Sequence, residues 1–108
     1  MRLLTTLCAV AMAGAFALPA AADMAAGKAK ANAACAVCHG AQGIATLPNA
    51  PNLAGQPQIY LVEQLKNYRS GKRTHEVMAV IAKPLSDQEI DDLSAWYASL
   101  RMELSPGQ

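Results

Sequence analysis

Large side chains are scarce in this chain of 108 residues. Aromatic residues make up 5% of it, with one Trp and one Phe. That Phe, Phe16, lies in an apolar N-terminal segment. Of the 86 residues after position 22, 40 are hydrophobic, but 15 of these are Ala and bury little area. A domain of this size buries only a modest share of its surface. The composition predicts one small domain whose core takes volume from another source. It argues against a large enzyme and against a multi-span membrane protein.

An excess of either charge is also missing. The formal net charge is +1 for the whole chain, and residues 23–108 contain eight basic and eight acidic residues. Nucleic-acid binding relies on a basic excess, so we expect no nucleic-acid partner. Alternating runs of strand length and internal repeats are absent from the sequence as well, which favours an all-α domain.

The first 22 residues have the features of a secretory signal peptide. A positively charged start precedes an apolar run over residues 3–18, Pro19 breaks the run, and three Ala residues provide a small-x-small cleavage site before Asp23. The run of 16 residues is shorter than the roughly 20 that cross a bilayer, which favours cleavage over an anchor. We therefore predict a leader over residues 1–22, a domain over residues 23–108, and export to the periplasm. No stable membrane insertion is expected after cleavage.

Two cysteines remain after residue 22, in the string Cys35-Ala-Val-Cys38-His39. C-x-x-C-H is the attachment pattern for c-type haem. Residues three apart share a helix face, so both thiols can bind one porphyrin edge while the imidazole reaches the iron. A zinc site lacks a second ligand pair here, and the Ala-rich segment before the motif does not favour a thioredoxin-like strand. One covalent haem c is predicted, and a simple dithiol or disulfide is the alternative.

The second axial position has four candidates: Met24, His75, Met78 and Met102. Met24 lies at the predicted processed terminus, where chains are usually mobile, and Met102 lies near the end of the last predicted helix. Met78 lies in a segment with few signals of regular structure, and a loop there can carry its side chain over the ring. We favour Met78 and keep His75 as the alternative. A thioether ligand raises the potential relative to a second imidazole.

Three helices are predicted in the domain. The first covers residues 24–38, and the second covers residues 57–69 and ends at Gly71. The third begins after Ser86, which forms a capping box with Glu89. Its apolar face then recurs at helical spacing as Ile90, Leu93, Tyr97 and Leu100.

Four basic residues form a cluster in the last turn of the second predicted helix and just after it. One interpretation is a docking patch for an acidic partner, and the other is a solvated helix end, which we favour. The cluster consists of Lys66, Arg69, Lys72 and Arg73.

Several ordered motifs resemble those of class I c-type cytochromes over residues 23–108. The chain is most similar to small bacterial single-haem members and to one half of the tandem two-haem cytochromes. The resemblance implies an all-α fold with three main helices around one haem. It also implies a close approach of Gly27 to the last helix at Leu93 and Trp96. The motifs are GKAKANAACAVCHG, PNLAGQ, QLKNYRSGKRT and MAVIAKPLSDQEIDDLSAWYASL.

The same resemblance implies a role for five residues. Cys35 and Cys38 attach the haem, and His39 and Met78 are the axial ligands of its iron. The carbonyl of Pro51 accepts the ring N–H of the ligand His and fixes its orientation.

The function predicted from these features is a soluble periplasmic electron carrier in a respiratory or related redox chain. Its partners would be redox proteins that donate and accept single electrons, and it would not be an enzyme. The alternative is a haem c subunit of a larger dehydrogenase or oxidase complex. A five-coordinate haem enzyme would need an open axial position, against which Met78 argues.

Overall fold

The computed structural model of this protein describes residues 10, 12–18 and 20–106. Residues 1–9, 11 and 19, which form much of the predicted leader, lie outside the described residues. The described residues 12–18 and 20–22 adopt no regular secondary structure. Within the described ranges, no helix combines the length and the apolar character needed to cross a membrane.

Five helices follow in chain order, and no strand occurs in the described part of the chain. They are α1 (Met24–Ala34), α2 (Ala36–His39), α3 (Gln58–Ser70), α4 (Met78–Ala82) and α5 (Asp87–Ser99). The three long helices, α1, α3 and α5, confirm the all-α prediction and the three main helices.

Two short helices depart from the sequence prediction. The first helix does not continue to Cys38, because Cys35 leaves helical geometry at φ −121° and ψ −34° and separates α1 from α2. The segment around Met78, predicted as a loop, instead begins the five-residue helix α4. Its apolar residues recur at i, i+3, i+4 and i+7, the pattern of a helix face. These residues are Met78, Ile81 and Ala82 of α4 and Leu85, three positions beyond its end.

The starts of the long helices α1 and α5 are capped by side chains. The Asp23 carboxylate accepts the backbone N–H groups of Ala25 and Ala26 at 2.9 and 3.1 Å. Ser86 Oγ accepts the N–H of Glu89 at 3.1 Å, which is one of the two hydrogen bonds of the predicted capping box. The Glu89 carboxylate pairs with Lys30 of α1 at 3.1 Å and so links the two helices.

The crossing of α1 and α5 depends on Gly27. A Cβ at this position would lie 2.0 Å from the Asp92 carbonyl oxygen and 3.1 Å from the Leu93 nitrogen, so only Gly allows this approach. The predicted contact with the last helix is confirmed at Leu93, but the backbone of Asp92, rather than Trp96, is the closest neighbour. The buried core extends from this crossing to α3 and α4. Its members are Ala31, Leu61, Ala82, Leu85, Ile90, Leu93 and Tyr97.

Candidate haem-binding site

A cavity of about 550 Å³ lies among α2, the loop over residues 40–57, α3 and α4. This volume falls within the roughly 300–1,000 Å³ of cofactor pockets. Apolar residues of α3 and α4, among them Leu61, Leu65 and Ile81, form much of its wall. All five residues predicted for the haem site line this one cavity: Cys35, Cys38, His39, Pro51 and Met78. The scarcity of large side chains in the sequence is thus matched by space in the fold.

His39 is buried at the end of α2, with 8% of its surface exposed. Its Nδ1 lies 2.8 Å from the carbonyl oxygen of Pro51. A carbonyl accepts hydrogen bonds only, so Nδ1 is the donor in this contact, which selects the tautomer with its lone pair on Nε2. No hydrogen bond from a described residue occupies Nε2. The arrangement gives the imidazole a fixed tautomer and a free coordinating nitrogen on a cavity wall.

The loop after α2 is held against it by its own backbone. Gly40 follows His39 at φ 78° and ψ 152°, a conformation that is essentially restricted to Gly. The Thr46 amide then donates to the Cys38 carbonyl at 3.0 Å, and Thr46 Oγ1 donates to the Val37 carbonyl at 3.0 Å. These contacts return the chain across α2 and bring Pro51 to His39.

Cys35 and Cys38 are partly buried free thiols. Burial raises the pKa of the Cys35 thiol, and the neighbouring Tyr97 hydroxyl and the charge of Lys30 offset this only in part. Cys35 is therefore a neutral thiol near pH 7. Dithiol oxidoreductases use a thiolate with a lowered pKa, so this environment does not support the dithiol alternative.

Met78 is the first residue of α4 and is partly buried. His75, the alternative ligand, also lines the cavity. However, its Nδ1 accepts the backbone N–H groups of Val77 and Met78, each at 3.2 Å. His75 therefore acts as a cap for the turn that carries Met78. Met24 and Met102 do not line this cavity.

Two residues of the basic cluster have structural contacts that the sequence prediction missed. Arg73 lines the cavity, with its guanidinium 4.7 Å from the Tyr68 ring and a hydrogen bond to Gln64 at 2.8 Å. Arg69 donates to the Leu85 carbonyl at 2.9 Å and to Asp87 at 2.6 Å. Half of the cluster thus ties the chain on both sides of Met78 to α3, and no periodic pattern in the sequence indicates these contacts.

Comparison with known proteins agrees with this geometry. Residues 24–101 match the family profile of cytochrome c. The chain is 47% identical over 85 residues to cytochrome c4 of Pseudomonas aeruginosa, in an alignment that covers 79% of this chain and 42% of that protein. It is 42% identical over 80 residues to cytochrome c-554(548) of Halomonas halodenitrificans, covering 71% of this chain and 95% of that protein.

A solved structure is similar as well. The crystal structure of reduced recombinant cytochrome c4 from Pseudomonas stutzeri superposes with a TM-score of 0.69 and 36% identity, over 75% of this chain and 47% of that one. The chain therefore spans about half the length of the cytochrome c4 relatives that it matches. This confirms the predicted similarity to one half of a tandem two-haem cytochrome and the class I fold.

The residues on the cavity wall fit the cofactor of these relatives. Two thiols three residues apart, an adjoining imidazole with a free nitrogen, and an apolar wall are the donors and the surroundings that a covalent haem requires. The chain belongs to the cytochrome c family, and its cofactor is a covalently bound haem c.

Proposed function

We propose that this chain is an exported, periplasmic electron carrier whose haem iron is bound by His39 and Met78. One observation carries the proposal: His39 and Met78 line the same cavity as both cysteines, and the 2.8 Å contact of His39 with Pro51 leaves Nε2 free. When bound, the haem supplies one-electron cycling between Fe(II) and Fe(III). The leader over residues 1–22 and the domain over residues 23–108 belong to this proposal.

Each residue has a separate task in it. Cys35 and Cys38 would hold the haem through two thioethers, and Pro51 fixes the orientation of the His39 ring that would bind its iron. Met78 would supply a soft thioether as a second ligand of the iron, which would favour the reduced state and keep small molecules away. The apolar wall excludes water, so little solvent rearranges when the charge at the iron changes.

The mouth of the cavity favours brief contacts with redox partners. Four apolar or aromatic side chains of its lining are exposed to solvent: Val37, Leu47, Tyr60 and Val77. Electron-transfer complexes use small, transient interfaces, and a patch of this kind suits them. One relative, 41% identical over 76 residues, is named thiosulfate dehydrogenase electron acceptor, from Thiomonas intermedia. By analogy, we propose an oxidising enzyme as the electron donor of this chain.

The same exposed rim favours the second candidate, a haem c subunit of a larger dehydrogenase or oxidase complex. The two functions differ in the lifetime of the contact. A carrier purifies as a free haem protein, whereas a subunit remains bound to its enzyme through purification. Size-exclusion chromatography of material from the native source distinguishes them, and a stable complex would contradict the carrier.

The ligand assignment is tested by Met78→Ala with Met102→Ala as the matched control. Met102 is exposed and lies away from the haem cavity, so its loss should leave the site unchanged. We expect Met78→Ala to abolish the sulfur-to-iron charge-transfer band of the ferric protein and to lower the reduction potential. If Met78→Ala kept both a low-spin spectrum and a high reduction potential, the assignment would be contradicted. The same measurement on His75→Ala would then test His75 as the ligand.

A further inference from the structure

Asp92 is a buried carboxylate in the middle of α5, with 5% of its surface exposed. Its Oδ1 accepts the backbone N–H of Asp23 at 2.7 Å and the side-chain amide of Gln88 at 2.8 Å. Both donors are neutral. The contact lies beside the crossing at Gly27, whose backbone meets the Asp92 carbonyl.

The two cations of α1 contact other groups. Lys30 pairs with Glu89 at 3.1 Å, and the Lys28 ammonium lies 5.4 Å from the Trp96 ring centre. Among the residues that the structure describes, neither Lys, Arg nor His forms a salt bridge with Asp92. A buried carboxylate without a cation is unfavourable, because desolvation is offset only by hydrogen bonds.

We propose that removal of the leader completes this site, because cleavage between Ala22 and Asp23 creates its cation. Hydrolysis of that peptide bond consumes one water, leaves a carboxylate on Ala22, and leaves an amine on Asp23 that takes up a proton. The nitrogen already lies 2.7 Å from Asp92 Oδ1, so the new α-ammonium forms a partly buried ion pair without rearrangement. This inference rests on the export and cleavage included in the proposed function.

The position of the cleavage matters for this ion pair. Successive Cα atoms are about 3.8 Å apart, so a terminus one residue earlier or later moves the ammonium out of hydrogen-bond range. Cleavage before Asp23 also preserves its side chain as the cap of α1. The pair then fixes the start of α1 on α5, whereas the precursor has only a neutral amide there.

The pair is tested on the haem-loaded protein, expressed as the full chain with its leader. N-terminal sequencing and intact mass should give Asp23 as the first residue. NMR titration should show the α-amino group holding its proton at least about tenfold more tightly than an ordinary terminus. We expect Asp92→Asn to abolish this gain, and the control Asp91→Asn, which removes the same charge one position away, to retain most of it. The other charged groups on these elements stay unchanged: the Asp23 carboxylate, Lys28, Lys30, Asp87 and Glu89.

A second variant avoids any change to Asp92. One Ala inserted directly before Asp23 should lower the thermal midpoint of the wild-type protein and leave that of Asp92→Asn unchanged. Equal losses in both backgrounds, an ordinary amino pKa, or a first residue other than Asp23 would each overturn the ion pair. Missing haem or a cytoplasmic location would instead contradict the proposed function, so the two failures are distinguishable.

Discussion

His39 and Met78 lie on the same cavity, but the chain holds them in different ways. His39 is buried, and its ring contacts a backbone carbonyl within a loop that is closed by hydrogen bonds to α2. Met78 follows seven consecutive exposed residues, 71–77. Side chains hold the chain on both sides of Met78: Arg73 donates to Gln64 and His75 caps the turn before it, and Arg69 donates to the Leu85 carbonyl after it.

This difference suggests different stabilities for two walls of the cavity. The His39 wall is α2 with the loop over residues 40–57, and the Met78 wall is residues 71–77 with α4. Segments with few buried contacts open at lower free energy than the elements of the core. We therefore expect the Met78 segment to open locally while α1, α3 and α5 stay folded. The His39 wall should be lost only with the fold. The four predictions that follow test this comparison.

Removing the covalent attachment should have the largest effect. In Cys35→Ser/Cys38→Ser the chain loses both thioethers, and a cavity of about 550 Å³ remains among its helices. We expect most of the helical circular dichroism and the cooperative melt to disappear, because the small core alone gives little stability. Met78→Ala, with the attachment intact, should keep both. Near-native helicity in the double variant would show that the core does not depend on the haem.

Two glycines compare the backbones of the two walls directly. Gly40 on the His39 side has φ 78°, and a Cβ there would lie 1.9 Å from the Ile44 carbonyl oxygen. Gly71, before the Met78 segment, has φ 84° and no atom within 4 Å of the added Cβ. Gly71→Ala should cost about 1 kcal/mol, the penalty of left-handed backbone. Gly40→Ala should cost about 3 kcal/mol or more, because the clash is added to that strain.

Denaturant titration of the two haem-loaded variants measures this difference. Equal losses would mean that the loop after His39 can move away from the added methyl group, and that this wall is less rigid than its contacts indicate.

The sequence predicted the parts of this molecule that depend on local chemistry. The cap at Ser86 and the long helices follow from residue spacing and polar punctuation. The C-x-x-C-H string predicts three of the five site residues because their chemistry requires them to be adjacent. The short helix α4 was missed although Met78, Ile81 and Ala82 follow helical spacing, because so short an apolar stretch is ambiguous.

Contacts between distant residues could not be derived in the same way. Pro51 reaches His39 across 12 positions, and this pairing was expected only from the resemblance to known cytochromes. Arg73 looked like a surface charge, because its contact with Tyr68 and its place on the cavity wall depend on how the chain turns after Gly71. Long-range approach of this kind leaves no periodic pattern in a single sequence.

Loss of the cap on the Met78 turn should have an effect of intermediate size. His75→Ala removes the acceptor for the N–H groups of Val77 and Met78, at a cost of about 1 kcal/mol. The charge-transfer band should fade at a lower temperature than in the wild type, while the main helical melt changes less. His75→Asn keeps a capping oxygen and should restore much of the band's stability. If neither variant moves the band, the cap does not hold Met78 in place.

The smallest effect is expected at the ion pair between Arg69 and Asp87, which lies beyond the other end of α4. The hydrogen bond and charge of Arg69 lower the pKa of the Asp87 carboxyl from its ordinary value of 3.8. A carboxyl with a lowered pKa in the folded state stabilises the protein above the ordinary value and loses this contribution as the pH falls through the folded value. Asp87→Asn should therefore be slightly less stable than the wild type at pH 7, and the difference should disappear in acid. Because the Asp87 side chain is 69% exposed, added salt should also reduce the difference. The control is Glu63→Gln on the exposed face of α3. An equal, salt-independent loss of stability in this control would show that the ion pair does not help to hold the Met78 wall.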